Sequence, residues 1–350
     1  MLANSAAPPS GLMMGSKASG TTSVACRNSI RACIQFPFNW ATALDRQHSG
    51  CEHATSALPA AVMRPLCLLI ALLLPLTSVA AEVPLIVVGD IAQCDNKPAA
   101  ESAAARTAAL AARIPGAWVA LTGDLTYPLG TAQEYADCFE PTWGRFRRRS
   151  LPAPGNHDYG TGKADAYFDY FGRIAGPQRR GYYSRKLGGW HIVSLNSELK
   201  DEEARSQLDW LRQDLAANRS RCLLALWHRP VFSSGPHGND ASMRTALPLL
   251  EAAGADLVLS GHDHHYERFA RLDTEGRPVS RGGIRHFVVG TGGAGLYPEG
   301  TQQAGSEARI YGQHGVLLLR LKPASYRWAF MSVGDQAPLD AGMDNCRAKP

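Results

Sequence analysis

Two apolar runs, residues 83–88 and 117–121, each lead into a Gly-Asp pair, and an alanine-rich stretch from about 98 to 113 separates them. A run of strand length, a helical stretch and a second such run make a β-α-β unit, whose crossover sets the two strands parallel in one sheet. Ligands of open α/β sheets lie beyond the carboxyl ends of the strands, where Asp90 and Asp124 fall. Thr131 with Glu134 forms a capping box for a short helix. Further helices are predicted at about 164–171 and 203–217, the latter with Leu208, Leu211 and Leu215 at helical spacing. Strands are predicted at 181–187, 190–195, 222–227, 256–259, 285–289, 315–321 and 326–331. The chain is therefore read as α/β.

Five segments place metal-liking side chains at a strand end or in the loop after it: Gly89-Asp90, Gly123-Asp124-Leu125-Thr126-Tyr127, Gly155-Asn156-His157-Asp158, Trp227-His228 and Gly261-His262-Asp263-His264. A single strand-end Asp is most often a turn residue or a helix cap. Two imidazoles two residues apart in a loop, as at His262 and His264, have little structural use. Carboxylates, an amide carbonyl, a phenolate and imidazoles form a hard to borderline donor set suited to Fe, Mn or Zn, with no thiolate among them. One carboxylate can bridge two ions, which then share a phosphoryl group between them.

These motifs, in this order, resemble those of the calcineurin-like metallophosphoesterases, and within that superfamily the purple acid phosphatases. The motifs run from Asp90 to His264 and the likeness of layout extends to about Phe330. Generic members carry Asp-x-His in the first motif, whereas Ala92 stands here. Tyr127, three residues after Asp124, matches the purple-phosphatase pattern and replaces the missing ligand. The family's usual glycine at the Ala92 position is also absent, which bears on the turn more than on ligation.

The resemblance implies a four-layer αββα sandwich of two mixed β-sheets flanked by helices. It implies two metal ions: Asp90, Asp124, Tyr127 and His264 on the first, with Asp124 as bridge and Asn156, His228 and His262 on the second. A phenolate favours Fe(III) in the Tyr127 site, with Fe, Zn or Mn(II) beside it. His157 and His237 match outer-sphere histidines, of which His237 is preferred as the acid that protonates the leaving group. The expected reaction is hydrolysis of a small-molecule phosphate monoester by in-line attack of a metal-held hydroxide. Three alternatives remain: a phosphodiesterase or nucleotide pyrophosphatase on the same centre, a generic Mn-dependent phosphatase in which Tyr127 does not bind, and a secreted metal-binding protein without catalysis. His191, His286, His265 and His314 are read as packed or surface groups, with His265 bordering the last motif.

Upstream, Met63-Arg64 precedes an apolar run from Pro65 to Leu76 and then Ser78-Val79-Ala80-Ala81, the layout of a secretory signal. The run is shorter than the roughly 18 residues a membrane span needs. The domains are thus expected to be 1–62, a disordered extension or a start assigned too early; 63–81, the signal peptide; and 82–350, the catalytic domain. Residues 1–62 are too polar and small-residue-rich to bury a core. Export to a periplasmic or extracellular location, with no stable membrane anchor after cleavage, follows.

Five of the 36 Lys and Arg (Lys17, Arg27, Arg31, Arg46, Arg64) and two of the 31 Asp and Glu (Asp45, Glu52) precede residue 82, so the net charge falls from +5 to +2. No nucleic-acid partner is expected at that balance. Cys94, Cys138, Cys222 and Cys346 follow the signal. Four cysteines in an exported chain suggest disulfides with three possible pairings. Cys94 with Cys138 would brace the rim of the site, leaving Cys222 with Cys346 to pin the tail, and free buried thiols are the alternative. Gly290-Thr291-Gly292-Gly293-Ala294-Gly295 fits a dinucleotide pattern, but no helix is predicted after it, and it is read as a flexible loop near the site. Arg147-Arg148-Arg149 and Arg179-Arg180 are basic runs for which solvated surface is the plainer reading.

Overall fold

The structure, a computed structural model, describes residues 82–347. The proposed extension, 1–62, and the whole of the proposed signal peptide, 63–81, lie outside the described residues. Two mixed sheets face each other. The first has the order β13-β12-β11-β1-β2-β3, formed by β1 (Val83–Val88), β2 (Trp118–Thr122), β3 (Ser150–Ala153), β11 (Gly315–Lys322), β12 (Ser325–Ser332) and β13 (Asp340–Asn345). The second has the order β10-β8-β9-β7-β6-β5-β4, formed by β4 (Tyr183–Leu187), β5 (Trp190–Ser194), β6 (Cys222–Leu226), β7 (Leu257–Ser260), β8 (Tyr266–Leu272), β9 (Ile284–Val289) and β10 (Ser306–Ile310).

β1, β2 and β3 are parallel, with Val88 opposite Leu121 and Thr122 opposite Ala153. In the second sheet β5, β6 and β7 are parallel in turn, and Ser194 lies opposite Leu226 and Leu226 opposite Leu259. All five of these strands that precede a metal-type motif therefore end at one edge of the sandwich.

Strand side chains alternate between faces, so β1 is buried on both. Leu85 and Val87 point between the sheets, where they meet Leu224, Leu226, Leu259, Phe287 and Phe330. Ile86 and Val88 point outward onto Ala104, Ala108 and Ala111 of helix α1 (Ala103–Ala112). On the far side, Val193, Leu223, Ala225 and Val258 pack with Leu211 of α3 (Asp201–Ala217) and Leu247 and Leu250 of α4 (Leu247–Ala252). This is the expected four-layer sandwich. Each fully buried aliphatic side chain contributes about 1.5–3 kcal/mol of transfer free energy.

The helix expected at 98–113 begins later. Ser102 caps it by accepting from Ala105 N at 3.1 Å, and only a short 3₁₀ turn, Ala99–Glu101, precedes it. The capping box at Thr131 and Glu134 is formed on both sides. α2 (Asp165–Phe171) and α3 lie where helices are predicted. β3, β8, β10, β13 and α4 lack a clear sequence signal. β3 is short and contains Pro152, while β8 carries Glu267, Arg268 and Arg271 within an apolar alternation. Those arginines are paired across the sandwich: Arg268 with Asp340 and Arg271 with Asp344, both carboxylates on β13.

The glycine-rich segment 290–295 is not the free loop expected. Gly290 N donates to His265 O, Gly292 N to Gly89 O and Ala294 N to Asp90 O, and Thr107 Oγ1 donates to Gly292 O at 2.5 Å. Its backbone is strapped to the first motif and to α1. Arg147, Arg148 and Arg149 sit at the amino end of β3, whereas Gly155–Asp158 follows its carboxyl end, so this basic run faces away from the motif edge. His191 is buried with Nε2 2.5 Å from Asp214 Oδ2. His286 is packed against Phe232, and burial lowers it to about 3.

Both expected cysteine pairings are present, Cys94–Cys138 with Cα atoms 6.0 Å apart and Cys222–Cys346 with 5.5 Å. The second ties the chain end to the start of β6 across 124 residues. Replacing Cys346 with Ser is expected to cost about 2–5 kcal/mol in denaturant unfolding. A non-reducing peptide map that recovered four free thiols would contradict the pairing.

Candidate metal centre

Strand ends bring the expected donors together, and the turns that follow are strained to do so. Asp90 (φ 59°), Asp124 (φ 51°) and His262 (φ 71°) all occupy the left-handed region. Such conformations cost on the order of 1–3 kcal/mol each and persist where surrounding contacts over-determine them. Two glycines make room for these side chains. A Cβ on Gly155 would overlap Asp124 Oδ1, and one on Gly261 would overlap Asp90 Oδ2.

The side chains fall into two groups joined at Asp124. In the first, Tyr127 Oη lies 3.1 Å from Asp90 Oδ1, 3.3 Å from Asp124 Oδ2 and 3.2 Å from His264 Nε2, and His264 Nε2 is 3.3 Å from Asp90 Oδ1. In the second, His228 Nε2 lies 3.2 Å from Asp124 Oδ2, 3.1 Å from Asn156 Oδ1 and 3.1 Å from His262 Nδ1. Asp90, Asp124, His228, His262 and His264 are all buried.

The outward ring nitrogens of two histidines are already engaged. His228 Nδ1–H donates to Thr122 O at 2.9 Å, and His264 Nδ1–H donates to Gly295 O at 2.5 Å. Each Nε2 is thus left as a lone pair aimed into the cluster, the arrangement that outer partners impose on ligating histidines.

Electrostatics call for positive charge in the cluster, which a proton on His228 Nε2 supplies where no metal ion does. Burial works against the Asp124 carboxylate, yet the neighbouring His228 outweighs it and holds the group well below the usual range. Burial likewise lowers His228, but Asp124 overcomes this and pulls it up to about 10. Burial, then Asp90 and Asp124, push the Tyr127 phenol well above 10, so a phenolate there requires a cation beside it. Burial together with His228 and Arg229 lowers His262 to about 2, which keeps it neutral and able to ligate. Converging oxygen and nitrogen donors around an excess of negative charge fit two metal ions. The chemistry is hard to borderline, as the donor types imply. Among the described residues, Cys222, Asp256 and Cys346 also cluster, but both sulfurs are consumed in a disulfide.

The two outer histidines stand on the rim. His157 Nδ1–H donates to Pro128 O at 2.6 Å, with Nε2 3.9 Å from Asp124 Oδ2. His237 stacks on His262 with ring centroids 4.4 Å apart.

Several residues were not singled out from sequence. Asp158 accepts from Leu125 N, Gly155 N and Tyr135 Oη, clasping the second motif to the third, and burial and Asp124 raise it to about 7. Asp263 accepts from Ser233 Oγ and His237 N and so carries the His237 loop. Tyr297 lies parallel to His264 at 4.0 Å, its hydroxyl 3.3 Å from His237 Nε2. Arg229 approaches His262 Nε2 at 3.3 Å while Glu198 holds its Nε at 2.9 Å. Asp158, Asp263 and Arg229 adjoin motif residues in the chain, a usable signal. Tyr297 has none.

The sequence description of the calcineurin-like phosphoesterase family matches residues 83–266, more than half of the 350-residue chain. Purple acid phosphatase 15 of Arabidopsis thaliana is 31% identical over 213 residues, covering 50% of this chain and 40% of that protein. Purple acid phosphatase 18 of the same plant is 35% identical over 118 residues, covering 32% of this chain and 26% of that protein. The chain spans two fifths or less of the length of these two curated relatives. Among solved structures, the purple acid phosphatase from yellow lupin (Lupinus luteus) seeds has the same fold, with a TM-score of 0.58 at 18% identity over 75% of this chain and 53% of that one.

Gly155→Ala is expected to displace Asp124 and to weaken metal binding on the order of 10–100-fold, read by competition with a chelator. Unchanged affinity would contradict the placement of Asp124 between the two groups.

Proposed function

The chain belongs to the calcineurin-like phosphoesterase family, and from that premise we propose that it is an exported, purple acid phosphatase-like hydrolase of phosphate monoesters with a dinuclear metal centre. The observation that carries the reading is the pair of four-donor groups that share Asp124.

In this reading Asp90, Asp124, Tyr127 and His264 hold Fe(III), and Asp124, Asn156, His228 and His262 hold a divalent Fe, Zn or Mn. Two such ions supply Lewis acidity to a phosphoryl group and acidify water near neutral pH or below. Asp124 sits between the groups and fixes their spacing. Thr122 O and Gly295 O lock the ligating tautomers of His228 and His264. His157, anchored through Nδ1 to Pro128 O, presents Nε2 at the rim, where it would donate to a phosphoryl oxygen. His237, seated on His262 and beside the Tyr297 hydroxyl, is placed to protonate the departing alkoxide oxygen.

Two disulfides suit an oxidising compartment, and the layout of residues 63–81 suits export to the periplasm or outside the cell. Among the described residues no helix is long and apolar enough to cross a membrane. The substrate side is a small-molecule phosphate ester.

Protein expressed from Met63 is expected to hold two metals, one of them iron, and to show a tyrosinate charge-transfer band in its visible spectrum, with an acidic optimum. Tyr127→Phe should remove the band. Asp124→Ala should lower kcat on the order of 10²–10³-fold or more. A colourless Mn or Zn protein would overturn the ferric assignment, and preference for a bis-nitrophenyl diester over the monoester would move the activity to phosphodiesters.

A further inference from the structure

The edge of the sandwich opposite the metal donors carries a charge pattern that the phosphatase reading does not use. β1, β2, β3, β5, β6 and β7 all start at this edge and run to the motif edge, roughly 17–20 Å away for strands of ordinary length. Four segments form its turns and strand starts: 145–149 before β3, 185–189 at the β4–β5 turn, 219–221 before β6 and 320–327 around the β11–β12 turn. They hold eleven Lys and Arg and no Asp or Glu. The chain from residue 82 onward has 31 basic and 29 acidic residues, so 20 and 29 are left for the rest of it. Positive charge is thus concentrated at this edge of an otherwise acidic molecule.

Contacts across both sheets bring the four segments together. Val83 lies opposite Leu321, Trp190 Nε1–H donates to Lys322 O at 2.8 Å, and Arg185 lies over the Trp118 ring at 5.3 Å. Cys346 N donates to Ala324 O while its sulfur is bonded to Cys222. Ten of the eleven cations are exposed and Lys322 is half-buried. The nearby carboxylates are committed: Glu82 to Arg320 and Lys322, Glu140 to Tyr170, Asp214 to Ser184 and His191, and Asp256 to the Leu223 and Arg347 amides. Farther along the edge, Asp344 pairs with Arg271, and Asp273 and Glu275 share Arg277. The excess therefore lies around the starts of β1, β3 and β6 and the β4–β5 turn.

We propose that this face docks on a membrane surface containing anionic lipid, with the metal edge turned to solvent. The choice of a membrane over another polyanion rests on the export reading above. Residue 82 enters β1 within the face, and the apolar run ends at Leu76, six residue steps earlier. Six steps reach at most about 22 Å, so a membrane that receives the run comes first to this face. Cations spread over the starts of two sheets match a planar array of headgroups, to which each Lys or Arg adds attraction that decays within a Debye length.

The test is co-sedimentation of protein expressed from Met63 with vesicles of phosphatidylcholine alone and with one containing phosphatidylglycerol as well. The apolar run reaches both lipids alike, so the ratio of the two affinities reads the face. That ratio should exceed about tenfold in dilute salt and collapse as salt shortens the Debye length. Arg148→Glu with Arg149→Glu, and independently Arg185→Glu with Lys186→Glu, should each lower it about tenfold. Arg148→Lys with Arg149→Lys should keep it. Lys97→Glu with Lys163→Glu, the same change in charge on loops after β1 and β3, should leave it unchanged. A ratio near one, an equal loss in the Lys97 and Lys163 pair, or no loss in either of the other reversal pairs overturns the proposal. Binding to soluble polyphosphate without binding to vesicles overturns it in favour of a free polyanion. Recovery of the protein in the cytosol with the vesicle ratio intact supports the face and removes the export reading alone.

Discussion

Burial of one carboxylate, Asp124, organises the motif edge of this molecule. Its side chain is almost wholly removed from water, yet it accepts from His157 N at 2.8 Å and faces Tyr127, His228 and the rim imidazole of His157. A charge so placed is costly unless matched by hydrogen bonds and by positive charge. Both demands are met from strands in different sheets, so the two sheets must register correctly before the carboxylate is satisfied. The left-handed turns at Asp90, Asp124 and His262 are held by those same contacts.

Around that charge the fold builds a set of struts. Asp158 clasps the second and third motifs, Asp263 carries the His237 loop, and buried Glu267 accepts from Ser234 and Ser306 while facing His265 Nε2. The strapped segment 290–295 lies against the first motif and delivers both the Gly295 carbonyl and Tyr297 to His264. Ring orientation at the donors is thus determined by backbone carbonyls and carboxylates outside the donor set. Rigid positioning of this kind lets a small displacement, such as a single added methyl group at Gly155, reach the centre.

Legibility followed the range of the interactions. Donors that sit at strand ends within short motifs, such as Gly261–His264, could be read because the strand period and the residue types lie within a few positions of each other. β1 and β2 could be read for the same reason. β3 and β13 could not, because a short strand containing Pro152 and a polar strand anchored by Arg268 and Arg271 owe their form to neighbours distant in the chain. Tyr297 and the Glu198–Arg229 pair were hidden likewise. Each arises where loops from separate crossovers meet, and segment 290–295 read as a free loop because its hydrogen-bond partners, Gly89, Asp90 and His265, are far away in sequence or in another sheet.

By itself the sequence determined the α/β class, the donor types and their places after apolar strands, and an even set of four cysteines, since these depend on local pattern and composition. Only the tertiary structure decided which donors meet, which nitrogen of each imidazole faces inward and which cysteines pair. Those outcomes depend on parallel strand order and on how two sheets stack. Strands ending at one edge bring Asp90 within hydrogen-bond distance of His262 and His264, more than 170 residues away, and no local pattern specifies that approach.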